Sequence, residues 1–362
     1  MKKICYYVSD YGFGHASRSI AVIRRILSQM DDVHVTVKCS SPFAFLKDSL
    51  EGTGVECICR KNDVGVILKE GSPEVDCEKT KLLFEQWMDT WPEYISQEAE
   101  YLQKEHIDLV ISDIVPQAFT AADSAGIPSI AVSNFTWHLI FTSLFGICPK
   151  TDSLVQAYET ASCAMRLPFH EPMAVFSDIC DIPLISREST VPRHVMRESL
   201  GIGDERVVFL NIPDTEKYIS NEFLTTVGDE NIRVILPTNC RAEIPGSIKI
   251  PACVTESQNW IGMCDCVVSK VGYSTVSEAV RGNVPILLLR RNGFAEDNWI
   301  IEAVERDEFG REMGISDLKR GEWLKDVSDL TVGQDNTLNC KYCDYKYDGT
   351  DIIIDTIGLI IV

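Results

Sequence analysis

The chain has 362 residues, of which 54 are acidic and 34 are basic, so its formal net charge is −20. This excess of negative charge argues against a general nucleic-acid-binding protein, because phosphate contacts require Lys and Arg side chains. Hydrophobic residues make up 45% of the chain, which is enough for sizeable cores, and the length is typical of two domains.

The N-terminal sequence lacks the long apolar run of a signal peptide. The two most apolar stretches, 135–147 and 352–362, are shorter than the ~20 residues that a helix needs to cross a bilayer. We therefore expect a cytoplasmic protein without a transmembrane segment, and a peripheral contact with a membrane stays open.

Fourteen cysteines are spread along the chain without regular spacing. Most lie in apolar runs, where Cys behaves as a small hydrophobe, and without a secretory signal we expect no disulfide framework. Cys340 and Cys343 have the spacing of half a zinc site, but no second such pair and no His motif accompanies them. The sequence therefore predicts no metal site.

Strand and helix patterns alternate through the first half of the chain. Each strand is a short apolar run, and each helix shows apolar residues at a spacing of three and four. This alternation predicts a parallel sheet with helices on both faces. The predicted strands are 3–8, 33–39, 54–60, 107–113 and 128–134, and the predicted helices are 16–30, 41–50, 81–105 and 116–126.

The pattern loosens near residue 190, where prolines, glycines and mixed charges are typical of a linker. It resumes with predicted strands at 206–212, 232–237, 265–270 and 284–290. We therefore predict an α/β fold of two doubly wound, Rossmann-like domains, 1–188 and 189–349, and a C-terminal helix, 350–362, that crosses back to the first domain. In such a pair, ligands bind in the cleft between the domains, at the carboxyl ends of the strands.

The loop after the first strand, "YGFGHASR", brings two glycines, a histidine and an arginine together. Gly12 and Gly14 allow the backbone to approach a ligand closely, but neither the Walker pattern nor the dinucleotide pattern G-x-G-x-x-G is present. His15 lies at the positive end of a predicted helix, which favours a neutral imidazole able to accept a proton. The alternative is that His15 only satisfies a carbonyl of the loop.

Asp113 ends the strand 107–113, at the same sheet edge as His15. A carboxylate at this place can hold the second nitrogen of the imidazole and stabilise its charged form. The alternative is that Asp113 caps the helix that starts after Pro116.

A second loop, "SKVGYSTVSEAV", joins a strand to a helix in the second domain. Gly272, Tyr273, Ser274 and Thr275 open that helix, and its N–H groups with the neighbouring hydroxyls form an anion site that fits a diphosphate. Glu278 is a candidate to bind the hydroxyls of a ribose. Its alternative role is a capping box with Thr275.

Three polar residues, Glu296, Asp297 and Asn298, follow the strand 284–290. Side chains of this kind bind sugar hydroxyls at a strand end. The alternative is a solvated loop in which Asp297 is the N-cap of the next helix.

These segments resemble GT-B glycosyltransferases, and most of all the glycosyltransferase-like N-terminal domain of plant L-arabinokinases and its free-standing microbial relatives. The resemblance covers most of the chain. It is carried by "YGFGHASR", "ISDIVPQAFTAADSAGIPSIAVSNFTW", "RLPFHEPMAVFSDICDIPLISR" and "VGYSTVSEAVRGNVPILLL" followed by "EDNWIIEA".

The resemblance implies a role for each candidate residue. His15 would be the base that activates an acceptor hydroxyl, and Asp113 would orient it. The loop 272–275 would face the diphosphate and Glu278 the ribose, while 296–298 would bind the donor sugar. In place of a metal, Arg18 or Arg290 would stabilise the leaving diphosphate.

The function that follows is the metal-independent transfer of a sugar, with inversion, from a nucleoside diphosphate sugar such as a UDP-sugar to a hydroxyl. An epimerase or hydrolase of nucleotide sugars is the first alternative, with Glu296 and Asp297 as its acid/base pair. A non-catalytic module that binds nucleotide sugars is the second. The sequence does not predict the acceptor or the oligomeric state.

Overall fold

A computed structural model describes residues 1–229, 231–321, 323, 324, 327 and 348–361 of the chain. Its first half forms a parallel sheet of seven strands in the order β3-β2-β1-β4-β5-β6-β7. The strands of this sheet are β1 Lys2–Val8, β2 Val33–Cys39, β3 Glu56–Cys59, β4 Leu109–Asp113, β5 Ser129–Ser133, β6 Cys163–Arg166 and β7 Ile179–Asp181.

Helices cover both faces of the first sheet. In β1, Ile4, Tyr6 and Val8 belong to one hydrophobic cluster, whereas Cys5 and Tyr7 belong to another. A strand that is buried on both faces has an uninterrupted apolar sequence, as "ICYYV" has. The helices are α1 Phe13–Gln29, α2 Phe43–Ser49, α3 Cys77–Asp89, α4 Trp91–Lys104, α5 Pro116–Ala125, α6 Trp137–Phe145 and α7 Pro149–Glu159.

The second half forms a parallel sheet of six strands in the order β10-β9-β8-β11-β12-β13. Its strands are β8 Arg206–Asn211, β9 Ile232–Leu236, β10 Ile248–Lys249, β11 Cys266–Lys270, β12 Ile286–Leu289 and β13 Gly310–Glu312. The helices here are α8 Arg193–Ser199, α9 Asn221–Asp229, α10 Ser257–Gly262, α11 Tyr273–Arg281, α12 Glu296–Arg306, α13 Ile315–Arg320 and α14 Gly349–Ile360, with a 3-10 turn at Thr215–Lys217.

Both sheets reverse their strand order next to their first strand, between β1 and β4 and between β8 and β11. At such a switch point the loops leave on opposite sides of the sheet and open a crevice at the carboxyl ends of the strands. The two crevices contain the two loops that the sequence singled out. The prediction of two doubly wound α/β domains is confirmed.

Direct contacts join the two domains across the cleft. The Ser274 hydroxyl donates to the carbonyl oxygen of Gly14 at 2.6 Å, and the backbone N–H of Val75 donates to the carbonyl oxygen of Asn292 at 2.9 Å. Arg24 forms an ion pair with Glu256 at 2.6 Å. The carboxyl ends of the two sheets therefore lie close enough to share one site.

The last helix, α14, packs against α1 of the first domain. Ile353 and Ile357 are fully buried, and Asp351 forms an ion pair with Arg25 of α1. In the described part of the chain, no helix has both the length and the apolar character needed to cross a membrane.

The helical stretch predicted at 81–105 is two helices in the structure. α3 ends at Asp89 and α4 starts at Trp91 with Pro92 in its first turn. A proline is tolerated there because the first N–H groups of a helix have no partner within it. Periodicity alone does not reveal this break, since the apolar spacing continues through it.

Candidate active site

His15, in the first turn of α1, is held by the carboxylate at the end of β4. Gly12 precedes the helix with a φ of 73°, a conformation that favours glycine. Nδ1 of His15 lies 2.8 Å from Oδ1 of Asp113, and both side chains are buried. An ionised carboxylate only accepts hydrogen bonds, so Nδ1 carries the hydrogen. In the neutral ring, Nε2 then has a free lone pair.

Asp113 also binds Arg18, one turn further along α1. The Nε and Nη2 atoms of Arg18 lie 2.7 Å and 2.5 Å from the two carboxylate oxygens. Burial raises the pKa of Asp113, but the charges of Arg18 and His15 outweigh burial and the net direction is downward. The carboxylate is therefore ionised, as orientation of the imidazole requires.

The helix-capping alternative for Asp113 does not agree with the structure. Val115 is the N-cap residue of α5, and no side chain caps that helix. The neighbouring Ser112 hydroxyl instead accepts a hydrogen bond from the N–H of Val115 at 2.9 Å. Both oxygens of Asp113 are thus available to His15 and Arg18.

Arg18 does not have the role that the sequence suggested for it. Its guanidinium is buried, binds Asp113, donates to Oδ1 of Asn134 at 3.1 Å and lies 4.9 Å from the centre of the Tyr273 ring. An arginine with these partners orients the Asp113 carboxylate and is not available to a diphosphate. The predicted role of Arg18 at the diphosphate is wrong, because spacing in the sequence does not reveal which carboxylate a guanidinium pairs with.

Asn134 connects this cluster to the second domain, and the sequence reasoning missed it. It accepts from Arg18 and donates through Nδ2 to Oε1 of Glu296 at 2.9 Å. Its position directly after β5, at the carboxyl edge of the sheet, is the signal that could have identified it.

Two adjoining cavities lie between the first loop and α11, and Gly14, the residue before His15, lines both of them. One has a volume of about 550 Å³ and the other about 490 Å³, within the range of ligand pockets. They share seven lining residues, which are Phe13, Gly14, Asn211, Pro237, Asn239, Ser274 and Thr275. Gly12, Gly272 and Tyr273 also line the larger cavity, whereas Glu278 lines the smaller one.

The start of α11 offers backbone donors to the larger cavity. Gly272 is its N-cap residue and, as a glycine, has no side chain to cap the helix. Such groups, together with the positive end of the helix dipole, attract anions. Ser274 and Thr275 add hydroxyls, although Ser274 donates to Gly14 in this structure.

Glu278 is part of a buried ion pair that the sequence did not predict. Oε1 of Glu278 lies 2.9 Å and 2.8 Å from Nε and Nη2 of Arg187, and the Ser257 hydroxyl donates to Oε2 at 3.4 Å. Burial raises the pKa of Glu278, and Arg187 partly offsets this effect. The capping-box alternative with Thr275 is wrong, because Gly272 is the N-cap residue of α11 and Thr275 lies inside the helix.

Asp297 is fully buried, which separates it from any sugar. Its carboxylate lies 2.5 Å from Nη2 of Arg291 and accepts from the backbone N–H of the same residue at 2.6 Å. The N-cap alternative for Asp297 is also wrong, since α12 begins at Glu296 after Ala295. Asp297 therefore holds Arg291 in place. The sequence showed that Asp297 follows a strand, but it did not show this pairing.

The remaining predicted residues also have protein partners. Glu296 lies 3.3 Å from Arg291 and accepts from Asn134. Asn298 accepts from Arg290 at 2.5 Å, and Arg290 also forms an ion pair with Glu312 at 2.8 Å. Arg290 therefore lies at the outer edge of this cluster, and its guanidinium is engaged by two side chains rather than directed to a diphosphate.

The sequence reasoning also missed Lys270, a cation at the site. Lys270 ends β11 and lines the 550 Å³ cavity. Its place directly before the glycine loop, in "SKVG", is the signal that could have identified it. The Cys340 and Cys343 pair lies outside the described residues.

Comparisons with known proteins agree with this architecture. Residues 2–175 match the model of a family described as Glycosyl transferase family 1. L-arabinokinase of Arabidopsis thaliana is 31% identical over 337 residues, a match that covers 88% of this chain and 31% of that protein. The chain therefore spans about a third of the length of this curated relative.

Solved structures of GT-B glycosyltransferases share the fold. The glycotransferase of kitacinnamycin has a TM-score of 0.67 at 14% identity, covering 100% of this chain and 99% of its own. Glycosyltransferase VinC, solved with DTDP, has a TM-score of 0.65 at 14% identity and 99% coverage of both chains.

A third structure, S. aureus MnaA solved with UDP, has a TM-score of 0.63 at 13% identity and covers 100% of this chain and 98% of its own. At such low identities these likenesses establish the fold. Together with the family match, they confirm the resemblance seen in the sequence: the chain has the GT-B fold, its residues 2–175 are similar to Glycosyl transferase family 1, and most of it is similar to part of L-arabinokinase.

Proposed function

We propose that the chain transfers a sugar from a nucleoside diphosphate sugar, with UDP as its nucleotide, to an acceptor hydroxyl. The observation that carries the proposal is the ordered pair of His15 and Asp113, 2.8 Å apart, beside a cavity that the N-terminus of α11 lines. The pair supplies a base, and the helix supplies an anion site. A two-substrate transfer uses both.

The reaction is a single displacement. Nε2 of His15 takes the proton of the acceptor hydroxyl as its oxygen bonds to the anomeric carbon. The bond from that carbon to the diphosphate oxygen breaks, and its electron pair leaves with the diphosphate. Attack opposite the leaving group inverts the anomeric centre. Asp113 stabilises the imidazolium that forms.

The donor would occupy the two adjoining cavities. Their combined lining offers backbone donors and hydroxyls for the diphosphate and Glu278 near the ribose. VinC and MnaA were solved with DTDP and UDP, which supports a pyrimidine nucleotide. We propose that backbone donors and side chains replace a metal, and that the enzyme acts in the cytoplasm.

The epimerase or hydrolase alternative has less support. It requires Glu296 and Asp297 as an acid/base pair, but Asp297 is fully buried and paired with Arg291. A binding module without catalysis remains the second candidate, and the His15 variant described below separates it from the enzyme.

The first test is thermal stabilisation by UDP-, GDP-, dTDP- and CMP-sugars, because a ligand that binds only the folded state raises Tm. We expect a shift with UDP-sugars and a smaller or no shift with GDP- and CMP-sugars. Candidate acceptors are then screened by measuring UDP release in the presence and in the absence of EDTA. No shift with any nucleotide would contradict the proposed donor, and loss of activity in EDTA would contradict metal independence.

A further inference from the structure

A chain of buried hydrogen bonds crosses the cleft from the pair of His15 and Asp113 to the second domain. The carboxylate of Asp113 lies 2.8 Å from Nδ1 of His15 and also binds Arg18. Arg18 donates through Nη1 to Oδ1 of Asn134 at 3.1 Å, and Asn134 donates through Nδ2 to Oε1 of Glu296 at 2.9 Å. Glu296 belongs to the second domain, so Asn134 makes the connection between the two domains.

The chemistry of the partners fixes the direction of each bond at Asn134. The guanidinium of Arg18 can only donate hydrogen bonds, so it requires the amide oxygen of Asn134. The amide nitrogen then faces the second domain, where it requires an acceptor, and Glu296 supplies one. Asn134 and Glu296 are both buried, so loss of either partner leaves a buried polar group unsatisfied. The two domains are therefore complementary in the direction of this hydrogen bond.

Rigid elements hold both ends of this chain of bonds. Asp113 ends β4, and Asn134 directly follows the neighbouring strand β5, so the sheet fixes the distance between them. Glu296 lies in the first turn of α12, 3.3 Å from the guanidinium of Arg291. Because packed elements transmit strain, a displacement of α12 reaches the end of β4 through Asn134.

The second domain also contacts Arg18 directly. The ring of Tyr273, at the start of α11, lies 4.9 Å from the guanidinium, a distance at which a cation and an aromatic ring attract each other. Separation of the domains would remove this contact together with the bond from Asn134 to Glu296. Arg18 would then lose the support that holds it against Asp113.

We propose that Asn134 is a positioning residue that couples the approach of the two domains to the orientation of His15. When the domains meet, Glu296 fixes the amide of Asn134. The amide in turn fixes Arg18 against Asp113, which holds the imidazole through Nδ1. The inference rests on the proposed function, because it takes His15 as the base of that reaction. The base is thus ordered once the donor domain is in place, which is the arrangement that transfer requires.

The test exchanges the two polar groups of the contact between the domains. In Asn134→Asp, two carboxylates face each other across the cleft, so the hydrogen bond is lost. In the double variant Asn134→Asp with Glu296→Gln, the bond is reversed: the introduced amide donates to the introduced carboxylate, and the amide oxygen faces Arg291. The double variant has the same net charge as the wild type. Glu302→Gln on α12 and Asn221→Asp on α9, both at exposed positions, are the matched controls.

The first readout is the tautomer of His15, which requires neither donor nor acceptor. NMR spectra of the chain with nitrogen-labelled histidine distinguish rings that carry the hydrogen on Nδ1 from rings that carry it on Nε2, and His15→Ala identifies the signals. We expect a single tautomer with the hydrogen on Nδ1 in the wild type, because the bond to Asp113 selects it. In Asn134→Asp the two tautomers mix. The double variant and both controls show the single tautomer.

The second readout is the rate of UDP release from a UDP-sugar. We expect kcat to fall by about 10- to 100-fold in Asn134→Asp, because a misplaced base is no longer aligned for proton transfer. UDP affinity stays unchanged, since Asn134 is absent from the lining of both donor cavities. The double variant regains most of the rate, as expected of two residues in direct contact. If Asn134→Asp does not fold, Asn134→Ala removes the same contact without adding a charge.

Each outcome has a separate meaning. If no nucleotide binds the wild type, the proposed function fails, and the tautomers alone decide whether Asn134 positions His15. A single Nδ1 tautomer in Asn134→Asp overturns the positioning role and leaves the proposed function intact. If the double variant does not recover, the effect of Asn134 is independent of Glu296, which overturns the coupling between the domains. A UDP affinity that falls together with the rate would place Asn134 in the donor site and likewise overturn the proposal.

Discussion

Asp113 organises the site at the scale of single residues. One buried carboxylate holds the imidazole of His15 and the guanidinium of Arg18, so it orients a base and keeps its own charge. Nη2 of Arg18 also lies 3.1 Å from Nδ1 of His15. The imidazole is thus held through Nδ1, and Asp113 does not engage its other nitrogen, Nε2.

His15→Ala removes this base, so we expect kcat for sugar transfer to fall by about 10²- to 10⁴-fold. UDP affinity stays within about twofold, because His15 is absent from the lining of both donor cavities. Steady-state rates and calorimetry measure the two effects, with His194→Ala on α8 as an exposed control. Unchanged transfer would reject the base, and lost UDP binding would make His15 part of the donor site.

Glu278→Gln affects stability and binding by different routes. The substitution leaves the buried guanidinium of Arg187 without a charged partner, so the free energy of unfolding falls by about 3–5 kcal/mol. The double variant Arg187→Met with Glu278→Gln regains most of this loss, because neither charge remains. Denaturant unfolding of the wild type and both variants measures these changes in the free energy of unfolding.

Uridine affinity separates the two roles of Glu278. If Glu278 binds the ribose, affinity for uridine is weak in both the single and the double variant, whatever their stability. An affinity that recovers together with stability in the double variant would make Glu278 a structural residue only. Thermal unfolding alone cannot make this distinction, since both variants change the core.

At the scale of elements, a buried acid fixes the start of α6. The hydroxyl of Thr136 caps α6 by accepting from the N–H of Leu139, and it donates to Glu171 at 2.5 Å. Burial raises the pKa of Glu171 to about 7, although the hydrogen bonds from Thr136 act in the opposite direction. The folded protein therefore binds a proton here that the unfolded chain has already lost near neutral pH.

This shift makes stability depend on pH. Because the folded pKa is raised, the contribution of Glu171 is complete below about pH 4.5 and is lost as the pH rises to about 7. We expect the wild type to lose up to about 3 kcal/mol over this range relative to Glu171→Gln. Denaturant unfolding at several pH values measures the difference. Glu159→Gln, at an exposed position on α7, shows no such dependence, and a flat difference for Glu171→Gln would contradict the prediction.

At the scale of the whole molecule, α14 ties the end of the described chain to the first domain. Ile357 is fully buried, whereas Leu359, two residues later, is 85% exposed. Ile357→Ala therefore lowers the free energy of unfolding by about 2–5 kcal/mol through a cavity under α14. Leu359→Ala on the same helix is the matched control and changes it by less than about 0.5 kcal/mol. Equal effects of the two variants would show that α14 does not hold this position in solution.

The pattern of the sequence determined the fold and the place of the site. Apolar runs that alternate with helical periodicity specify doubly wound sheets, since a strand buried on both faces must be apolar throughout. Residues at the carboxyl ends of such strands meet at one edge. His15, Asp113 and the loop 272–275 could therefore be predicted.

Only the tertiary structure decided which charges pair. Arg18 and Asp113 are 95 residues apart, and Arg187 and Glu278 are 91 apart, so local spacing carries no information about either contact. The same holds for Asp297, which is buried against Arg291. A carboxylate or cation becomes a ligand group or a structural one according to its neighbours in space, because burial and pairing set the free energy of its charge.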